Sequence, residues 1–383
     1  MKPRALNADL LYYMFDSANM GRWNDHLRPL DLSELDKQAH KAMISWVIAK
    51  SEEGSGHEVD WDALIEHTLF SFIKRIALTD LKPQVFHRIA REKRDEVNVY
   101  VLDFFNKNVR NTDPGFASRF NDYLYADRDS LEDRIINAAH YLATKWEFDM
   151  IYDVNRVVWG IEDTKAEIEA QVNQFLGVSG VSEIVDRDSD LYRFVNIVGQ
   201  LRFQQRWVRT PRMPRTTVLG HSILVADMVF LNDLDRGVSG REVYWDYYSA
   251  LFHDLPEVLT KDVITPVKTS VSGLPDLLGD IEKEMVEETI MPLLPLEWAD
   301  ELRIMCYDPF ADSEDPPRFG RQIKACDVLG AWMEAYISTQ YGITSRTLRE
   351  GIVGAETRFR DEPDLEESIR AFEIIGGLRT KEI

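Results

Sequence analysis

The chain reads Ala250-Leu-Phe-His253-Asp254-Leu-Pro-Glu257-Val-Leu-Thr-Lys-Asp262 in its second half. This stretch sets a histidine beside an aspartate inside an apolar run, and two more carboxylates follow at Glu257 and Asp262. An adjacent His-Asp pair is costly to bury unless a positive group satisfies it. A divalent metal ion would do so, and the stretch therefore predicts a metal site in a helical core.

Two further residues complete a possible ligand set. His221 begins an apolar helix-like run, and Asp327 interrupts an otherwise apolar face downstream. Two imidazoles and two carboxylates suit a borderline divalent ion such as Mn, Fe, Co, Ni or Zn, with positions left open for water and substrate. We therefore predict that one such ion is held by His221, His253, Asp254 and Asp327.

The ordered pattern His…His-Asp…Asp resembles the HD-domain metal-dependent phosphohydrolases. The flanking residues resemble, more narrowly, the branch that contains the bacterial 5'-deoxynucleotidases. Arg206-Trp207 precedes His221, and Thr265-Pro-Val-Lys268 follows Asp262. The resemblance covers roughly residues 191 to 344. Two departures from the branch are Leu255-Pro256 and Lys261, where smaller residues are expected.

The resemblance implies roles for the residues around the ligands. Glu257 would act as the acid/base, and Asp262 would shape the nucleotide pocket beside it. The substrate-binding residues would be Arg206, Trp207, Lys261, Thr265 and Lys268. Arg206 offers a planar fork suited to phosphate oxygens.

The function expected from this resemblance is metal-dependent release of phosphate from nucleotides, with deoxynucleoside 5'-monophosphates as the first candidate substrate. A deoxynucleoside triphosphohydrolase or a phosphodiesterase uses the same ligand set and is the near alternative. A non-catalytic nucleotide-sensing or scaffold protein with a structural metal is the alternative of another class. No Walker-type glycine-rich loop, GxSxG or CxxC motif is present in the sequence.

Composition narrows the class further. The 383 residues carry a net charge of −21, which argues against nucleic-acid binding through phosphates. The two cysteines cannot form a disulfide framework, and a reducing cytoplasm fits them. No apolar run suggests a signal peptide or a membrane span. We expect a cytoplasmic protein with a small-molecule nucleotide substrate and no membrane partner, and homo-oligomerisation is left open.

Helical periodicity dominates the chain, whereas alternating strand patterns are scarce, so the predicted class is all-α. Apolar residues recur at spacings of three and four in 38–50, 62–78, 130–155, 163–176, 218–232, 243–254, 279–290, 321–340 and 363–374.

The chain also contains a long internal repeat. Arg22-Trp23 precedes His40 as Arg206-Trp207 precedes His221. In the same alignment Ser71-Phe72 faces His253-Asp254, Arg75 faces Glu257, His140 faces Asp327 and Glu147 faces Glu334. Phenylalanine cannot ligate a metal. We therefore predict two tandem HD-like helical domains packed as a pseudo-dimer, with a degenerate copy at 1–178 and a catalytic copy at 179–383, joined near Gly177–Gly180.

Overall fold

The computed structural model describes residues 2–78, 92–261 and 273–381. Helices make up most of this part of the chain, and the β-structure described is a two-stranded antiparallel ribbon, in which Ser313 pairs with Arg318. The predicted all-α class is confirmed. Asp262, Thr265 and Lys268 lie outside the described residues.

The first half of the chain contains α1 to α7. Their bounds are Ala8–Asp16 (α1), Glu34–Gly54 (α2), Trp61–Leu78 (α3), Arg94–Asn108 (α4), Pro114–Tyr125 (α5), Leu131–Tyr152 (α6) and Ile161–Asn173 (α7), with short 3-10 turns at Ser17–Asn19 and Asp153–Asn155.

The second half contains α8 to α17 and the ribbon. Their bounds are Val181–Val185 (α8), Asp190–Gly199 (α9), Val218–Arg236 (α10), Arg241–Phe252 (α11), Glu257–Thr260 (α12), Leu274–Thr289 (α13), Leu296–Tyr307 (α14), Ser313–Glu314 (β1), Pro317–Arg318 (β2), Gly320–Gln340 (α15), Arg346–Asp361 (α16) and Glu366–Arg379 (α17), with 3-10 turns at Gln200–Phe203 and Met291–Leu293.

Side-chain caps fix where the two central helices begin. Ser33 accepts a hydrogen bond from the Asp36 amide at the start of α2, and Thr217 accepts one from the Gly220 amide at the start of α10. Such caps satisfy amide groups that have no partner inside the helix. Both helices are buried along most of their length, and they pack against each other at the centre of the molecule.

The two halves share one apolar core. Trp46 of α2 is fully buried, and its indole contacts Phe252 of α11 and Trp298 of α14. The same buried cluster runs through helices of both halves. The core therefore does not divide at the predicted boundary between residues 178 and 179.

One helix near the beginning of each half packs against the other half. Helix α1 packs on α17 and α10, whereas α9 packs on α2. The junction near Gly180 is likewise bound to α2, since the Ser179 amide donates to Glu52 Oε1 at 2.8 Å. The halves are thus interlocked through helix packing at both of their beginnings.

Candidate active site

Three helices bring the predicted ligands together. His221 lies in the first turn of α10, His253 directly follows α11, and Asp327 lies on α15. Each of these residues offers one ligand atom, and the three atoms lie within 4.8 Å of one another. Both histidines are buried, and Asp327 is half-buried. Among the described residues, they form a candidate metal cluster.

Asp254 lies beside this cluster. Its Oδ2 is 3.1 Å from His253 Nε2 and 3.5 Å from an Nη1 of Arg206. Asp327 Oδ1 is 3.0 Å from His221 Nε2 and 3.9 Å from His253 Nε2. Three of the four predicted ligands therefore form one cluster, and Asp254 lies next to it through its contact with His253.

The protonation pattern of His253 fits a metal ligand. Its Nδ1 lies 2.7 Å from the carbonyl oxygen of Ala250, which can only accept a hydrogen bond. Nδ1 therefore carries a proton, and in the neutral ring Nε2 keeps its lone pair. That lone pair faces the carboxylates of Asp254 and Asp327, an arrangement that needs a cation or a second proton between them. The donor set thus fits a divalent ion.

The charges of the cluster are mutually dependent. Burial opposes the charged imidazole of His253, yet Asp254 and Asp327 raise the pKa of this histidine above its usual value. Burial, with Arg206 nearby, lowers the pKa of His221. Burial also opposes the carboxylate of Asp327. Lys324 and the two histidines nevertheless hold the pKa of Asp327 well below its usual range. The Nζ of Lys324 lies 2.6 Å from Asp327 Oδ2.

Arg206 and Trp207 meet at one buried carboxylate. Arg206 Nε donates to Glu334 Oε2 at 3.1 Å, and Trp207 Nε1 donates to the same oxygen at 2.8 Å. Burial alone would raise the pKa of Glu334, but Arg206 and Arg212 hold it near 2. One carboxylate therefore orients both the arginine and the tryptophan, and its Oε1 lies 3.9 Å from His221 Nδ1, which is beyond hydrogen-bond distance.

The remaining predicted residues lie at the rim. Glu257 begins α12 and is half-buried, and Lys261 follows α12, exposed, with a φ of 66°. The sequence alignment of the two halves included Glu334 but assigned it no role, and it did not single out Lys324. Glu334 was detectable because its counterpart Glu147 recurs, whereas the isolated Lys324 gave no such signal.

The same arginine-tryptophan-glutamate contact occurs in the first half. Arg22 Nε and Trp23 Nε1 both donate to Glu147 Oε2, at 2.8 and 3.0 Å. Trp23 and Trp207 also share a left-handed backbone, with φ values of 57° and 58°.

The spatial counterpart of His221 is Lys37. Lys37 is the fourth residue after the cap Ser33, as His221 is the fourth after Thr217. Lys37 Nζ lies 3.2 Å from the ring nitrogens of His140, the residue that aligns with Asp327. His40, which the sequence comparison aligned with His221, lies instead with its Nε2 3.0 Å from the Val195 carbonyl oxygen.

Comparison with known proteins agrees with the predicted class. Residues 193–345 match the family described as 5'-deoxynucleotidase YfbR-like. A curated 5'-deoxynucleotidase from Shewanella oneidensis is 24% identical over 151 residues, which cover 38% of this chain and 74% of the relative. The resemblance of this part of the chain to the HD-domain phosphohydrolases, in the 5'-deoxynucleotidase branch, is confirmed.

A solved structure of an HD-domain phosphohydrolase from Listeria innocua is also similar to this chain. It is 19% identical, with a TM-score of 0.42, and the match covers 50% of this chain and 93% of that one. Among the described residues, every helix is too short or too polar to cross a bilayer.

Proposed function

We propose that this protein is a metal-dependent phosphomonoesterase that releases phosphate from deoxynucleoside 5'-monophosphates. The observation that carries the proposal is the convergence of His221, His253 and Asp327, whose ligand atoms lie within 4.8 Å of one another beside the guanidinium of Arg206. A cluster of this kind combines candidate metal ligands with a phosphate-binding fork.

His221, His253, Asp254 and Asp327 would hold one divalent ion, of the group Mn, Co, Fe, Ni and Zn. When bound, such an ion lowers the pKa of water towards ~7 and neutralises charge on a phosphate. Glu334 positions Arg206 beside these ligands, because it accepts a hydrogen bond from the Arg206 Nε.

The protein's own side chains supply positioning and proton transfer. Glu334 holds Nε of Arg206 and Asp254 lies 3.5 Å from its Nη1, and the remaining N–H donors of the guanidinium would hold phosphate oxygens and stabilise their charge as the reaction proceeds. A water oxygen forms a bond to phosphorus while the P–O5' bond breaks. Glu257, which lies three residues after Asp254, would take the proton that this water loses and pass a proton to the leaving oxygen, so that phosphate and the deoxynucleoside are released.

The pocket would be completed by residues around this centre. Trp207 would wall the sugar side, and Lys261 would lie at the phosphate rim. From the segment outside the described residues, Asp262 would accept a hydrogen bond from a sugar hydroxyl, and Thr265 and Lys268 would line the phosphate end.

The test is phosphate release from deoxy- and ribonucleoside mono-, di- and triphosphates, with Mn, Co, Ni, Zn or Mg added to metal-free protein. We expect release from deoxynucleoside monophosphates that falls to background in the double variant His253→Ala/Asp254→Ala. The exposed His57→Ala serves as the control histidine and should retain the wild-type rate. Release from triphosphates alone would favour the triphosphohydrolase. No release by protein that carries stoichiometric metal would favour the sensing or scaffold function.

We also propose that residues 1–178 and 179–383 are two copies of one HD-like domain, packed as an internal pseudo-dimer. The supporting observations are the paired contacts of Arg22 and Arg206, made to Glu147 and Glu334. Because the two copies share a core, a fragment that starts at residue 179 should be insoluble or unfolded. A soluble, active fragment would contradict the pseudo-dimer.

A further inference from the structure

A cluster of cationic and hydrogen-bonding side chains occupies the first half where the second half has its candidate metal ligands. We call it the first-half cationic site and define it by Lys37, Lys41, Ser71, Arg75 and His140. Lys37 Nζ lies 3.2 Å from His140, and Lys41 Nζ donates to Ser71 Oγ at 2.6 Å. Lys37 and Lys41 are one turn apart on α2, so both ammonium groups face the same side.

The two lysines are buried without a paired carboxylate. Each is 1% exposed, and within the described residues neither forms an ion pair. The two nearest carboxylates are already shared among arginines. Glu34 pairs with Arg22 at 2.8 Å and with Arg75 at 3.2 Å.

Glu147, the second of these carboxylates, pairs with Arg22 at 2.8 Å and with Arg202 at 3.1 Å. Three arginines therefore use both carboxylates. A further buried carboxyl near Lys41 is that of Asp227, whose pKa burial raises to about 8, so neither ammonium group forms an ion pair among the described residues. A buried ammonium without a counter-charge is strongly disfavoured. This arrangement is unexpected in a chain whose net charge is −21.

Three residues of the site are partly exposed. Ser71, Arg75 and His140 are half-buried, whereas both lysines are fully covered. Burial, together with the neighbouring cations, lowers the pKa of Lys37, and burial likewise brings the pKa of Lys41 to about 8. An anion bound among these groups would reverse both effects.

We propose that the first-half cationic site binds a phosphate group, either free or as a phosphate monoester, without a metal ion. Two ammonium groups and the Arg75 guanidinium would balance the dianion. The Ser71 hydroxyl and the His140 ring would supply directed hydrogen bonds to the oxygens. The proposal does not depend on hydrolysis in the second half.

The first half has a fixed positive charge at the place where the second half has candidate metal ligands, so phosphate binding there needs no metal. In the second half, His221 and Asp327 face each other at 3.0 Å and offer two ligand atoms. In the first half Lys37 and His140 take these places, so a fixed ammonium group supplies the positive charge that a metal ion would supply in the second half.

The experiment is calorimetric titration of the full chain in EDTA with inorganic phosphate, with deoxyadenosine monophosphate and with deoxyadenosine. The double variant Lys37→Met/Lys41→Met removes both ammonium groups at similar volume. The matched control Lys107→Met removes an exposed lysine of α4. His253→Ala/Asp327→Ala disables the candidate metal cluster of the second half.

We expect about one phosphate per chain, bound by the wild type, by Lys107→Met and by His253→Ala/Asp327→Ala, with no heat from deoxyadenosine. Binding should be lost in Lys37→Met/Lys41→Met, which should melt at or above the wild-type temperature in phosphate-free buffer because it no longer buries two charges. If the double variant does not fold, each single lysine variant gives the same comparison. Tighter binding of the nucleotide than of inorganic phosphate would identify a nucleotide as the ligand, and equal binding would identify the phosphate group alone.

Three results would overturn the proposal. They are the absence of saturable binding to the wild type in EDTA, unchanged binding by folded Lys37→Met/Lys41→Met, and loss of binding in His253→Ala/Asp327→Ala. The last result would place the bound phosphate in the second half. The metal-free conditions separate this outcome from failure of the proposed hydrolase, which is measured with metal and by product release.

Discussion

Trp46 provides the sharpest test of whether the two halves fold as one unit. It belongs to the first half, but it packs on aromatic side chains of the second half: Phe194, Tyr248, Phe252 and Trp298. Its Nε1 also donates to the Tyr244 hydroxyl at 3.0 Å. The residue is 0% exposed, so its replacement leaves a cavity between the halves.

The expected size of the effect follows from these contacts. Truncation of a buried tryptophan to alanine costs about 3–5 kcal/mol. Loss of the hydrogen bond to Tyr244 adds about 1 kcal/mol. Trp46→Ala should therefore lower the free energy of unfolding by about 4–6 kcal/mol. Trp46→Phe keeps a ring in place and should lower it by about 1–2 kcal/mol.

Urea denaturation followed by far- and near-ultraviolet circular dichroism measures this effect. Wild type and both variants should unfold in a single transition, because one core runs through both halves. Two separate transitions would refute the shared core, above all if the later one keeps the wild-type midpoint. A loss below about 1 kcal/mol for Trp46→Ala would also refute it.

Three further predictions concern single buried positions. Burial raises the pKa of Asp227 to about 8 from an ordinary value of 3.8. The native state therefore holds a proton that the unfolded state loses, so this carboxyl destabilises the fold increasingly as pH rises from about 4 to about 8. Urea titrations at pH 5 and pH 8 should show that the free energy of unfolding of Asp227→Asn rises relative to wild type over that range. A difference in the free energy of unfolding that does not depend on pH would contradict this. Glu334→Gln and Glu147→Gln should each cost about 3 kcal/mol or more, because each removes the charge of a buried carboxylate that two arginines share. Only Glu334→Gln should slow phosphate release, and equal loss of activity in both variants would argue against an active site confined to the second half. A Cβ at Gly351 would lie 2.6 Å from the Trp207 ring. Gly351→Ala should therefore displace the indole and lower the free energy of unfolding by about 1–3 kcal/mol in the same denaturation assay. An unchanged urea midpoint would show that the ring is not held there.

The sequence allowed helices and the candidate site to be predicted where a pattern of residues recurs at short range along the chain. The helices with one apolar face were predicted close to their observed bounds, for example 218–232 against Val218–Arg236. The His-Asp motif predicted a cluster, and His221, His253 and Asp327 do converge. Other helices were not predicted, although several of them have a clear buried apolar face. They are Ala8–Asp16, Arg94–Asn108, Pro114–Tyr125, Asp190–Gly199, Leu296–Tyr307 and Arg346–Asp361.

Long-range packing was not predictable in the same way. Helices α1 and α9 each pack against the other half through contacts between residues far apart in the chain. The local periodicity of apolar residues does not predict such contacts. The counterpart of His221 was also misassigned to His40, because two histidines are easier to align than a histidine and a lysine. The cap residues Ser33 and Thr217 correct the register, since each fixes the first turn of its helix.

The two halves share one contact and differ in another feature. Arg22 and Arg206 each form a buried contact with a glutamate, whereas among the described residues the candidate metal ligands lie in the second half. Breaking a buried ion pair destabilises a fold whether or not the fold has a catalytic role. The arginine-glutamate pair therefore carries a structural task in both halves, because it holds the loop that leads into α2 or α10. Arg206 differs from Arg22 in that its other edge faces Asp254. This contact with Asp254 places the guanidinium of Arg206 beside the predicted metal ligands.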